Sequence, residues 1–336
     1  MRHDNLRKLM VAVLAVAAAI VSAPLLPDIS DYYKGKNVTY IVATNAGGGY
    51  DAYARMIGGY LQKYLNADHV IIRNVPGAGH IVGANTLARS KPDGLTIGTF
   101  NAGLIYGQLV GNKAIRFDLR DFGWIGKAAG EPRAVIVSTK CQIKTIEDMV
   151  AADEPVIFSS AGIGSASSAD TRLLSEALGL NTKIIPGYRG TEGEMAMMRG
   201  EICGLIASAS SLQGFVDAGH ASYILTIGGD IDGVPNAFEY AKDERAKGIV
   251  KLISSMAQLG RISAAPPGTP EEVLNALRAA YKNALEDPAL LMEAKKKLLP
   301  IDPAFGDDVE QLVVAALDQI PETIQIMTRI LSAEAR

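Results

Sequence analysis

The chain predicts an α/β protein of two domains, and three observations predict it. Short apolar runs alternate with amphipathic segments along most of the 336 residues, a βαβα rhythm that layers helices on largely parallel sheets. The length beyond an N-terminal leader suits two domains of ordinary size. A glycine-rich turn follows a strand in each half of the chain.

Met1 to Ala23 has the layout of an export leader. Arg2, Arg7 and Lys8 form a basic start, Leu9 to Val21 is apolar, and Val21 and Ala23 are small residues before a cleavage point. The apolar run is short and alanine-rich for a membrane span. Pro24 would directly follow the cut, which leaves the site open and an uncleaved anchor as the second reading. The expected location is the periplasm, and no later segment reads as a transmembrane helix. The formal charge is -3, and a leader carrying three cations against Asp4 leaves a body near -5. A mildly acidic body excludes nucleic acid as the expected partner. Cys141 and Cys203 are too few for a disulfide scaffold. They either form one bridge or are two buried thiols.

Along the body, Val38–Thr44 reads as a strand, Asp51–Leu65 as a helix, Val70–Asn74 as a strand, Ile81–Arg89 as a helix and Thr96–Phe100 as a strand. Lys91 to Gly94 is a turn signal before that third strand. Then come strand Ala134–Thr139, helix Ile146–Ala152, strand Pro155–Ser159, helix Ala169–Leu178, strand Lys183–Pro186, helix Glu192–Arg199 and strand Ile202–Ser208. Thr191 and Glu194 have capping-box spacing, with Gly200 as the helix stop. Thr269, Pro270 and Glu272 predict another capped start, with proline at the first helical position. From there the chain is almost wholly helical. Val273, Leu274, Leu277 and Tyr281 recur at helical spacing, and Asp287-Pro288 and Pro321 each begin a helix.

The most informative stretch is VTYIVATNAGGGYDAYAR, Val38 to Arg55. A strand, three glycines and a helix N-terminus make an anion cradle, because free N–H groups and the helix dipole favour negative charge. A phosphate loop would carry Lys and Ser/Thr after the glycines. Tyr50, Asp51 and Ala52 stand there instead, which favours a carboxylate. The alternative is a plain tight turn. Asp51 either caps the helix and pairs with Arg55, or meets a ligand ammonium or hydroxyl. Asn74 to Asn85 holds GxGxxxG without the acidic residue a dinucleotide site needs about twenty positions on, so a tight turn is expected. SSAGIGSASSADTRLL, Ser159 to Leu174, repeats the cradle logic, with Ser165, Ser167 and Ser168 as helix caps or ligand donors. Two cradles facing across a cleft would grip one anion from two sides.

These motifs together resemble the tripartite tricarboxylate transporter substrate-binding proteins, the TctC or Bug family. GGGYDAYAR resembles the family's GGxxDxxAR, NVPGAGHIVGA its NxPGAGGxxGA, KPDGLTIG its PDGYT, and AGIGSASS its GxGSxxH. DFGWIGKAA resembles the segment after the family's first domain core. IPGYRGTEGEMAMMRGEICG resembles its VPYKG segment, and AAPPGTPEEVLNAL its APAGTPxxVxxxL. The match covers nearly the whole chain beyond the leader. It implies a two-lobed, type II-like periplasmic-binding-protein fold, with two mostly parallel mixed sheets and a cleft between them. Lobe 1 would be residues 37–133 and 261–336, and lobe 2 residues 134–260. The resemblance implies a ligand carboxylate held at Gly47, Gly48, Gly49 and Asp51 in one lobe and Gly162, Gly164, Ser165 and Ser168 in the other. It adds Asn101 at the end of the third strand and Tyr188. Ala46 stands where the family has proline, and Ser168 where it has histidine. Gly187 adds a residue before Tyr188, which alters the loop shaping the far pocket.

The expected function is capture of a small organic carboxylate by a monomeric receptor that delivers it to membrane permease subunits, with no cofactor or metal. Arg189 is a candidate for the ligand's distal charge. Trp124, the only tryptophan, is expected between elements. An alternative is presentation of the ligand to a membrane sensor kinase. An enzyme is disfavoured, since His3, His69, His80 and His220 show no metal spacing and no GxSxG elbow is present.

Overall fold

The computed structural model describes residues 31–332, so the leader lies outside the described residues. Strands β1 (Asn37–Val42), β2 (His69–Asn74), β3 (Thr96–Asn101) and β4 (Gly123–Lys127) precede β5 (Arg133–Ser138), β6 (Val156–Ser160), β7 (Thr182–Pro186), β8 (Gly204–Ser208) and β9 (Ala221–Ile227). Strands β10 (Arg261–Ala265) and β11 (Ala304–Phe305) follow. They form a six-stranded sheet, β11-β4-β10-β3-β1-β2, and a five-stranded sheet, β7-β6-β8-β5-β9. The first sheet therefore draws on both ends of the described chain.

Both sheets are mixed. The pairs β1/β2, β1/β3, β6/β7 and β6/β8 are parallel, as the βαβ units require. The pairs of β10 with β3 and β4, of β11 with β4, and of β5 with β8 and β9 are antiparallel, more than the rhythm alone predicts. Arg261 pairs with Asn101 and Arg133 with Ser208. Strands β5 and β10 therefore start at the edge where their neighbours end, because the chain enters each from the crossover between the sheets.

Burial follows from these positions. RAVIVS of β5 is buried throughout as an interior strand, whereas HVIIRN of β2, at an edge, alternates. The helix Glu271–Glu286 buries Val273, Leu274, Leu277, Tyr281 and Leu285 against the helix Gly49–Leu65 and β4. Full burial of each such side chain contributes about 1.5–3 kcal/mol. Trp124 is fully buried, with Phe100 and Phe122 ring centroids 6.0 and 6.1 Å away, as expected of a residue between elements. One cluster of buried residues runs from Phe100 and Trp124 through Val135 and Phe158 to Ile253, so the two sheets share a core. The helix Pro321–Ser332 packs on the helix Ala166–Leu178 of the second sheet, and Arg329 Nη2 donates to Glu176 at 3.1 Å. The last described helix thus bridges from the first sheet's chain segment to a helix of the second sheet.

Cys141 and Cys203 form a disulfide with Cα atoms 5.3 Å apart. It closes a loop of sequence separation 62, a constraint worth about 2–4 kcal/mol. Two local expectations change. Thr191 makes no side-chain cap bond, and Glu192 instead accepts from Arg189 N at 2.8 Å. Pro270 stands at the N-cap with φ -57 and ψ 141, one place earlier than expected, and Thr269 Oγ1 donates to Pro266 O at 2.8 Å. The starts at Pro288 and Pro321 stand as expected.

Candidate functional site

The carboxyl ends of β1, β2, β3, β6, β7 and β8 and the amino ends of β5 and β10 face one cavity of about 600 Å³, the usual place for a ligand in open α/β layers. Of the helices whose N-termini line it, two stand behind the glycine loops. The 17-residue helix Gly49–Leu65 starts from N-cap Gly48, which brings no side chain. The helix Ala166–Leu178 starts from Ser165, whose hydroxyl accepts from Ser168 N at 3.3 Å and donates to Gly162 O at 2.7 Å. First-turn N–H groups have no partner within a helix. Each loop thus offers backbone donors with the positive end of a helix dipole behind them.

Gly47, Gly48, Gly49, Asn101, Gly162, Ser165 and Tyr188 line the cavity. Asn101 Oδ1 accepts from Gly103 N at 2.6 Å, and Tyr188 N donates to Ser160 O at 3.1 Å. Gly164 and Ser168 support the second loop from outside the lining, and Ser168 is buried.

Asp51 also lies behind the lining, 4% exposed. It is not the helix N-cap, which is Gly48. Its carboxylate accepts from Gly47 N at 3.0 Å, Asn74 Nδ2 at 2.9 Å and Arg55 Nε at 2.8 Å. Asp51 thus braces the first glycine loop against β2. Burial pushes its carboxyl up, and the bonds from Arg55, Gly47 and Asn74 outweigh burial and set it below 3.8. The stability this adds is full above that unfolded value and is lost as the pH falls through the lower folded one. Asp51→Ala is expected to lower stability by about 1–3 kcal/mol and to leave affinity nearly unchanged. Urea unfolding beside ligand titration checks this, and weaker binding with unchanged unfolding would return Asp51 to the ligand.

Several lining residues escaped the sequence reading: Tyr50, His80, Arg133, Ser208, Ser211, Glu194 and Arg261. The two arginines carried a signal, since each is a lone cation opening an apolar strand, RAVIVS and RISAA. Arg133 Nε donates to Asp170 Oδ2 at 2.8 Å, and Tyr106 Oη donates to Asp170 Oδ1 at 3.3 Å. Burial raises the Asp170 carboxyl despite Arg133 beside it. Arg261, 3% exposed, donates from Nη2 to Glu131 at 2.8 Å and to Ser211 at 3.0 Å. Its guanidinium lies 4.5 Å from the Tyr50 ring centroid and 5.1 Å from that of Tyr53, a cation–π arrangement. Burial works against its charge, but Tyr50, Glu131 and Tyr53 hold its pKa above the usual value. His80 adopts a left-handed φ of 81, and burial pushes its imidazole down to about 4, so the ring is neutral near pH 7.

The crossover between the lobes runs beside these arginines. Arg261 N donates to Ala129 O at 2.8 Å and Ala128 N to Arg261 O at 3.0 Å. Gly260, at φ 22, lies so close to the Ala129 carbonyl that a Cβ would collide with it. The lobes touch across the cavity. A Cβ on Gly79 would fall 2.6 Å from Ser165 N and 2.8 Å from Gly164 C, and one on Gly103 would fall 2.7 Å from Ala166 Cβ.

The model of the tripartite tricarboxylate transporter family receptor matches residues 53–327. A UPF0065 protein from the TAR-I ttuE-ttuC′ intergenic region of Agrobacterium vitis is 29% identical over 285 residues, 82% of this chain and 79% of the relative. The periplasmic binding protein BugD superposes with TM-score 0.73 at 21% identity, covering 89% of this chain and 98% of BugD. MatC from Rhodopseudomonas palustris, solved with bound malate, superposes with TM-score 0.69 at 18% identity, covering 88% of this chain and 99% of MatC. The two-lobed fold is that of periplasmic binding proteins. With a family match over most of its length, the chain belongs to the tripartite tricarboxylate transporter receptor family.

Proposed function

We propose that this protein is a monomeric extracytoplasmic receptor that captures a small organic carboxylate and delivers it, unaltered, to the membrane subunits of a tripartite tricarboxylate-type transporter. One observation carries the reading: two helix N-termini, one from each lobe, open onto the same cavity. Such ends stabilise anions. Gly48, Gly49 and Ser165 with Gly162 supply the carboxylate contacts, Gly47, whose N–H is held by Asp51, turns the chain towards them, Asn101 and Tyr188 shape the sides, and Asp51, Gly164 and Ser168 hold the loops in place. Malate in the relative MatC supports a carboxylate ligand here. The basic and apolar start of the chain supports export to the periplasm.

The test is a thermal-shift screen of the protein without residues 1–23 against mono-, di- and tricarboxylates, amino acids, aromatic acids and neutral analogues. A ligand at about a hundred times its Kd is expected to stabilise by about 2.7 kcal/mol and to be recovered chemically unchanged. Stabilisation by neutral analogues alone would sink the carboxylate reading, and turnover would sink the receptor reading.

A further inference from the structure

One carboxylate in the cavity has no cationic counterpart among the described residues, and only its own backbone N–H bonds to it. Glu194 stands in the first turn of the helix Glu192–Arg199 and lines the cavity beside Tyr188, Arg189 and Thr191. A first-turn glutamate ordinarily closes a capping box, pairs with a cation or points into solvent. The first two are missing here. Thr191 makes no side-chain cap bond. Among the described residues, no lysine or arginine nitrogen lies within 4.0 Å of the Glu194 carboxylate, Arg189 of the adjoining loop included. The residue is half-buried, and burial pushes its carboxyl up.

A half-buried carboxylate that has its own backbone N–H but no cation is costly unless something that enters the cavity supplies one. Backbone donors at the glycine loops favour an anion at one part of the cavity, while Glu194 repels a second anion and attracts a cation at another. We infer that the ligand is a carboxylate that also carries a cationic nitrogen, an amino acid or other amine-bearing acid, and that Glu194 accepts hydrogen bonds from its ammonium. This rests on the carboxylate-receptor reading and makes Glu194 a specificity-determining residue within it.

The test is calorimetric titration of the wild type and Glu194→Gln with matched frames: propionate, succinate and alanine; valerate, glutarate and γ-aminobutyrate; phenylpropionate, phenylsuccinate and phenylalanine. Putrescine is the cation without a carboxylate. In at least one frame the wild type is expected to prefer the amino form over both others. Glu194→Gln is expected to weaken that form by about 10- to 100-fold, the worth of a hydrogen bond to a charged group, and to bind the dicarboxylate of that frame more tightly. If the wild type prefers plain acids or dicarboxylates, or if the variant binds the amino form as well as the wild type does, the Glu194 assignment falls and the carboxylate receptor stands. Binding of putrescine with no acid bound overturns the carboxylate reading itself. Silence across the whole set overturns both.

Discussion

Gly79→Val is expected to weaken ligand binding by at least about 100-fold while the unliganded protein stays folded. Gly79 is where the first lobe meets the second, with Ser165 N and Gly164 C inside the space a Cβ would need. Backbone atoms at that distance cannot rotate away as a side-chain tip can, and both belong to the second glycine loop. The substitution therefore holds the lobes apart at the point where the ligand would be enclosed. Overpacking of this kind costs about 1–3 kcal/mol when the surroundings can yield, and more here, because the unyielding partner is backbone. A left-handed φ of 61 adds strain of about 1–2 kcal/mol. That strain is present whether the lobes are open or closed, so it lowers the melting temperature without changing the ratio of the two states. Titration calorimetry beside thermal unfolding separates the effects. Near-normal affinity in a variant with a lowered melting temperature would show that closure at this point does not matter to binding.

Asp170→Ala is expected to cost about 3–5 kcal/mol of folding stability, the usual consequence of leaving one member of a buried ion pair alone. Asp170 takes the Arg133 guanidinium on one oxygen and the Tyr106 hydroxyl on the other. Without it Arg133 keeps only Ser208 Oγ at 3.3 Å and Ile206 O at 3.4 Å. The double variant Asp170→Ala, Arg133→Met is expected to regain most of the loss, because the uncompensated charge leaves with its partner. Urea unfolding of the two variants and of Arg133→Met completes the cycle. A double variant as unstable as Asp170→Ala alone would place the defect in packing rather than charge.

The parallel units could be read directly because each is local: a strand, a turn and an amphipathic helix close in sequence. The helix starts at Pro288 and Pro321 are local as well, since proline at the first helical turn imposes its own geometry. The capping box at Thr191 failed for a reason outside the motif: Glu192 takes the N–H of Arg189, and Glu194 is left lining the cavity. The antiparallel pairs could not be read, since β10 meets β3 more than 150 residues away in sequence.

By itself the sequence determined the alternation of strands and helices, the two glycine loops, the family and the mildly acidic charge balance. These depend on residue type, period and order over short spans. Only the tertiary structure decided that Asp51 braces a loop instead of lining the cavity, that Cys141 reaches Cys203, and that Arg133, Arg261 and Glu194 share one cavity with the glycines. Those outcomes turn on where separate strands end in space. A charged residue is solvated or buried according to neighbours that the local chain does not contain.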